Sequence, residues 1–153
     1  MKITVEIDPS LAETEVVIRA DAITNEVAML QQVLSNISEN RGDVVFYKGD
    51  TEFYFAIGKI LFFETDGNRV IAHTADEEYE VKLKLYELEE KLPAYFLRVS
   101  KSTILNTRKV YGLTKNITAS SRVDFSGTHK KVYVSRNYFK SLKEILSPGY
   151  NAR

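Results

Sequence analysis

Between Val44 and Val134 the chain is cut every few residues by a turn signal, and this spacing constrains its fold more than any other feature. Short runs rich in Val, Ile, Phe and Tyr alternate with polar or glycine-bearing turns, the pattern of antiparallel hairpins rather than of parallel strands joined by helices. The spacing predicts strands at 44–47 and 52–56 joined through Lys48-Gly49-Asp50-Thr51, then at 60–64 and 69–74 around Asp66-Gly67-Asn68, then at 79–82. A short helix carrying Leu83, Leu85, Leu88 and Leu92 ends at Pro93, because proline pushes the residue before it out of helical geometry. Further strand-like runs are expected at 95–99, 109–114, 117–119, 122–126 and 131–134, with Ser126-Gly127-Thr128 as another hairpin turn. A last helix runs through Phe139, Leu142, Ile145 and Leu146, capped by Ser135 or Asn137 and closed by Pro148-Gly149. The expected class is mainly β with a few helices, an α+β fold of antiparallel sheets.

Ahead of this region, Ile3, Val5 and Ile7 alternate with Lys2, Thr4 and Glu6, which predicts a half-buried strand at 2–8. A second strand is expected at 16–19. Asp21 is placed to cap a helix from Ala22, whose apolar stripe is Ile23, Val27, Leu30, Leu34 and Ile37. The polar turn 40–43 marks a boundary between a strand–strand–helix extension, residues 1–40, and a main domain, residues 41–153. A chain of 153 residues that is 44% hydrophobic is long enough for one ordinary core and a small appended unit. It contains no cysteine, which excludes a disulfide framework and thiolate metal sites. Acids fall where a signal peptide needs an apolar run, and no apolar stretch reaches membrane-spanning length, so the expected location is cytoplasmic.

Formal charge is unevenly spread. Residues 1–40 hold two basic and seven acidic side chains, residues 41–97 hold seven and twelve, and residues 98–153 hold twelve and two. A last third near +10 points to an acidic partner surface or to nucleic acid. Its cations are scattered over strand ends, turns and a helix start, and Ser100, Ser102, Thr103, Asn106 and Asn137 lie among them. These are the neutral donors that hold phosphate oxygens. Arg136 falls at the start of the last helix, where its fork suits the two acceptors of guanine.

Catalytic constellations are lacking. His73 and His129 have no paired-ligand spacing, the seven glycines stand singly at turns, and the runs Glu77-Glu78 and Glu89-Glu90 are exposed-face charges. The sequence supports neither an enzyme nor a metal or other cofactor.

Four ordered motifs resemble the LytTR-type DNA-binding domain over about two thirds of the chain. Ile60-Leu61-Phe62-Phe63-Glu64 resembles its early strand, Phe96-Leu97-Arg98-Val99-Ser100-Lys101-Ser102 its central motif, Ile104-Leu105-Asn106 the short apolar-apolar-Asn motif that follows, and Val134-Ser135-Arg136-Asn137-Tyr138 its last motif. The resemblance implies antiparallel sheets whose loops enter successive major grooves of duplex DNA. By position it implies base reading by Asn68, Lys101 and Arg136, with Arg69, Ser100, Ser102 and Asn137 at the backbone. Ser100 stands where the family usually has histidine.

Forty residues cannot form the phosphorylatable receiver domain that commonly precedes such domains. The chain resembles instead the receiver-less regulators of the family, which implies a homodimer on repeated half-sites and control by a membrane-protein inhibitor. The extension is expected to mediate dimerisation, to hold that inhibitor, or to cap a sheet edge. Two rival readings remain: a β-rich protein-interaction module with a basic face, and a single-stranded nucleic-acid binder using Tyr and Phe as stacking platforms.

Overall fold

The structure, a computed structural model, describes residues 1–39 and 44–147. The expected boundary turn at 40–43, the side chain of Ile37 and the Pro148-Gly149 terminator lie outside the described residues. The chain divides into two compact units, residues 1–36 and 37–153.

In the larger unit, antiparallel hairpins build two sheets. The first has seven strands: β1 (Phe46–Lys48), β2 (Thr51–Phe53), β3 (Phe62–Asp66), β4 (Arg69–His73), β5 (Glu78–Val81), β6 (Phe96–Ser100) and β7 (Thr103–Asn106), in the order β2-β1-β5-β4-β3-β7-β6. The second contains β8 (Val110–Thr114), β9 (Ser121–Phe125) and β10 (Lys131–Val134), in the order β10-β9-β8. Helix α2 (Leu85–Lys91) follows β5, and α3 (Arg136–Leu146) closes the unit. Every strand pairing is antiparallel, as the turn spacing predicts.

Strand pleating sends alternate side chains to opposite faces, and here each face meets its own core. Phe63, Ile104 and Phe96 join Phe46, Val70, Ala72, Val81 and the α2 residues Leu85 and Leu88 on one side. Phe62, Leu105 and Val99 join Val123, Phe125, Val132 and Val134 of the small sheet, with Leu142 of α3, on the other. The large sheet is therefore a middle layer along β3, β7 and β6.

That arrangement explains the main omission of the sequence reading, which has no strand at 103–106. All four residues of β7 are buried, so no polar alternation marks it. Asn106, 1% exposed, is held by backbone groups: its Nδ2 donates to Ile60 O at 3.0 Å and to Gly58 O at 3.4 Å, and its Oδ1 accepts from Arg108 N at 3.0 Å.

The strand expected at 117–119 does not form. Asn116 Oδ1 accepts from both the N–H and the hydroxyl of Thr118 at 3.1 Å, a local turn that competes with a ladder, and Ile117 is exposed. Several remaining strand ends shift by one to three residues.

In the smaller unit, helix α1 covers Asn25–Glu39. It begins three residues later than expected because Thr24, not Asp21, caps it: Thr24 Oγ1 accepts from Val27 N at 3.3 Å and Thr24 O from Ala28 N at 3.0 Å. Residues 1–24 contain no strand, which corrects the expectation at 2–8 and 16–19. A lone strand pair with an uncovered apolar face has too little burial to offset its ordering entropy.

Candidate nucleic-acid interface

Two hairpins carry the predicted contact residues, and sheet order brings their tips together. β3 and β7 are antiparallel neighbours with Glu64 opposite Thr103, so the C-terminal end of β3 lies beside the N-terminal end of β7. The β3–β4 hairpin closes at Asp66 opposite Arg69. Its two turn residues are Gly67, with φ of +61°, and Asn68, whose φ is negative. Positive φ at the first central position alone defines a type II′ turn, which suits the strand twist and is cheap only for glycine. The β6–β7 hairpin closes at Ser100 opposite Thr103 through Lys101 and Ser102. Thr65 N–H donates to Ser102 O at 2.9 Å, tying one tip to the flank of the other.

The third contributor arrives through a bulge. The β6–β7 register shifts between Arg98 and Ser100, which releases Val99 from the ladder. Val99 O accepts from Ser135 N at 2.9 Å. Ser135 is the residue before α3, so Arg136 is the first residue of a helix anchored beside the Lys101 tip. Ser135 rather than Asn137 occupies the cap position, without a side-chain hydrogen bond. Buried Leu142, with Tyr138, Phe139 and Leu146 packed against the same core, fixes the helix. Arg136, Lys140 and Lys143 are exposed, and their spacing places them on one helix face.

Asn68, Arg69, Lys101, Ser102, Arg136 and Asn137 are thus exposed side chains at one end of the large sheet. Three of the predicted residues have partners of their own, Ser102 among them with its hydroxyl 3.3 Å from Ser100 Oγ. Arg69 lies 3.6 Å from Asp66 Oδ2 and 4.0 Å from Glu80 Oε2. Ser100 is half-buried, and its hydroxyl accepts from Ser102 N at 3.2 Å, so it braces the turn.

Arg98 has a role that charge counting missed. Its Nε donates to Ser100 O at 2.6 Å, its second guanidinium nitrogen to Lys101 O, and its third pairs with Glu89 of α2. Arg98 is a clamp that presents Lys101, not a free surface cation. Arginine three residues before lysine was the sole sequence signal, since its partners are backbone carbonyls with no sequence identity.

The opposite end of the sheet is a brace between layers. His73, stacked on Phe62 with ring centroids 4.3 Å apart, has Nε2 2.8 Å from Glu64 Oε1 and Nδ1 3.3 Å from Lys130 Nζ. A lysine ammonium only donates, which assigns the proton of the neutral ring to Nε2. Burial pushes the imidazole below its ordinary pKa, against the opposing pull of Glu64. Lys130 also donates to Glu77 O at 2.8 Å, and Thr128 Oγ1 to Ala75 O at 2.7 Å, which joins the β9–β10 connection to the large sheet.

Residues 50–147 match the family model of the LytTr DNA-binding domain. An uncharacterised HTH-type transcriptional regulator of Staphylococcus aureus strain NCTC 8325 is 29% identical over 96% of this chain and 99% of its own length. A counterpart from the bovine strain RF122 is 30% identical over the same shares. A LytTr DNA-binding domain from Bacillus cereus superposes with a TM-score of 0.62 at 20% identity, covering 71% of this chain and all of that one. Among the described residues the three helices are separated by strands, so the basic end is built from hairpin tips and one helix start rather than from a helix-turn-helix.

Proposed function

We propose that this chain, which belongs to the LytTr DNA-binding domain family, is a cytoplasmic transcriptional regulator that binds duplex DNA sequence-specifically and catalyses no reaction. The reading rests on one observation above all: hydrogen bonds between Thr65 and Ser102 and between Ser135 and Val99 hold two hairpin tips and the start of α3 at one end of the sheet. In this reading the tips and the helix start enter successive major grooves. Arg136 and Lys101 read guanine edges and Asn68 an adenine edge, because their donors and acceptors match those bases. Arg69, Ser102 and Asn137 hold phosphates, with Lys140 and Lys143 following the backbone along α3. Two copies sit on repeated half-sites, and a membrane protein inhibits the regulator.

Duplex is favoured over single strands because the principal aromatic clusters belong to the core. Phe46, Phe53 and Phe55 pack against Tyr79 with ring centroids 5.0–6.1 Å apart, leaving them unavailable as stacking platforms.

Selection of bound sequences from a random duplex pool tests the reading. A recovered repeat bound at least about a thousandfold tighter than scrambled duplex is expected. Arg136→Ala should then lose roughly 1–3 kcal/mol at the selected site with little change on random DNA. Equal loss on both reduces Arg136 to a phosphate contact, and preference for single strands refutes the duplex reading.

A further inference from the structure

Hydrophobic exposure is concentrated in the first unit. Of the sixteen exposed large hydrophobic side chains among the described residues, eleven lie between Met1 and Val33. Ile3 and Val5 are 79% exposed, Ile7 83% and Ile23 91%. Val16, Ile18, Ala20, Ile23, Val27 and Gln31 line an open cleft of about 490 Å³ in the same unit. An apolar surface of this density marks a surface that is covered by a partner.

The sequence of the first segment indicates which partner. Lys2-Ile3-Thr4-Val5-Glu6-Ile7-Asp8 is self-complementary about Val5. Laid antiparallel against a second copy, Ile3 faces Ile7, Thr4 faces Glu6, Val5 faces itself, and each Lys2 faces an Asp8. A two-fold interface requires this reciprocity, in which residue i meets j and j meets i. Asp8 accepts from Ser10 N and Oγ through Oδ1 alone, so Oδ2 is available to a lysine. The unit's two basic and six acidic side chains argue against an anionic lipid surface as the occupant. Area agrees as well: burying an aliphatic side chain removes on the order of 100 Å². Eleven of them account for the roughly 800 Å² per partner of a standard interface.

We infer that residues 1–33 form a two-fold interface with a second copy of this chain, in which residues 2–8 pair antiparallel across Val5 and the apolar residues flanking α1 are covered by the partner's. Pairing between copies supplies the strand partner and the covered face that the isolated segment lacks.

Sedimentation velocity of the full chain, without DNA, should give twice the 17.5 kDa chain mass in the micromolar range. Val5→Lys brings two like charges together on the axis and should weaken the dimer by roughly a hundredfold or more, with unchanged far-ultraviolet circular dichroism. Lys2→Asp should weaken it too, and adding Asp8→Lys should restore it. The chain has no cysteine, which makes cross-linking specific. Val5→Cys should form a disulfide-linked dimer on mild oxidation, since opposed strand Cα atoms lie about 4.5–5.5 Å apart, within disulfide reach. Lys2→Cys should not, being roughly 20 Å from its counterpart. A monomer at every concentration overturns the inference, as does a dimer that survives Val5→Lys and fails to cross-link at position 5. Loss of duplex binding in a chain that still dimerises counts against the DNA reading alone.

Discussion

Replacing Arg98 should weaken DNA binding without removing a DNA contact. Its side chain is 22% exposed and divides its donors among Ser100 O, Lys101 O and the Glu89 carboxylate. A hydrogen bond from a charged donor is worth about 1.5–3 kcal/mol net. Lys101 is exposed, so its carbonyl rehydrates when the clamp is lost, whereas Ser100 is half-buried and the Glu89 pair is partly screened. Arg98→Met should therefore cost roughly 2–3 kcal/mol of folding stability. The binding effect comes from the released tip, because ordering two freed residues costs about 1–2 kcal/mol each. The Thr65 to Ser102 bond and the Ser100 hydroxyl retain about half of that order. Affinity for the selected duplex should thus fall by roughly 1–2 kcal/mol, about 5- to 30-fold. Urea unfolding measures the first quantity, and fluorescence anisotropy at several salt concentrations the second. A clamp leaves the salt slope unchanged, and Arg98→Met combined with Lys101→Ala adds little to Lys101→Ala alone. Arg98→Lys, which keeps the charge but not the fork, should lose nearly as much as methionine. The reasoning is refuted if Arg98→Lys binds like the parent while Arg98→Met lowers the slope by about one, since arginine would then be acting as a charge on phosphate.

Acid should loosen the brace at the other end of the sheet. Burial holds the His73 pKa below its ordinary 6.5, while Glu64, Glu78 and Lys130 face the ring. The unfolded chain therefore takes up the proton more readily, so this group's contribution is fully present above pH 6.5 and declines as pH falls through the lowered native value. Urea midpoints across that window should fall, and His73→Gln should flatten the decline. Asn106→Ala leaves Ile60 O and Arg108 N without their side-chain partner, which should cost about 2–4 kcal/mol, measured by the same unfolding. Gly67→Ala meets nothing within 4 Å, so its cost is the strained backbone of a glycine-favouring turn position alone, about 1–3 kcal/mol. A larger effect on duplex affinity than on stability would show that Asn68 requires this turn.

The sequence by itself determined the hairpins and the charge partition, because both depend on local chemistry. Turn residues specify where a strand pair closes, and Gly67 and Gly127 have the positive φ that their turns demand. Four ordered motifs also identified the family and with it the antiparallel class. Tertiary structure alone decided what those motif residues do. By sequence Asn106 counts among the neutral donors for phosphate and Arg98 among the cations of the basic last third, yet the fold buries one among backbone carbonyls and folds the other onto a turn. β7 was invisible for the same reason: a strand covered on both faces has no polar alternation. At 2–8 the error ran the other way, since alternation indicates an apolar face but not what covers it. Pattern is a property of neighbours in the chain, whereas burial and pairing depend on groups brought from elsewhere, and their free energy exists only once the layers are assembled.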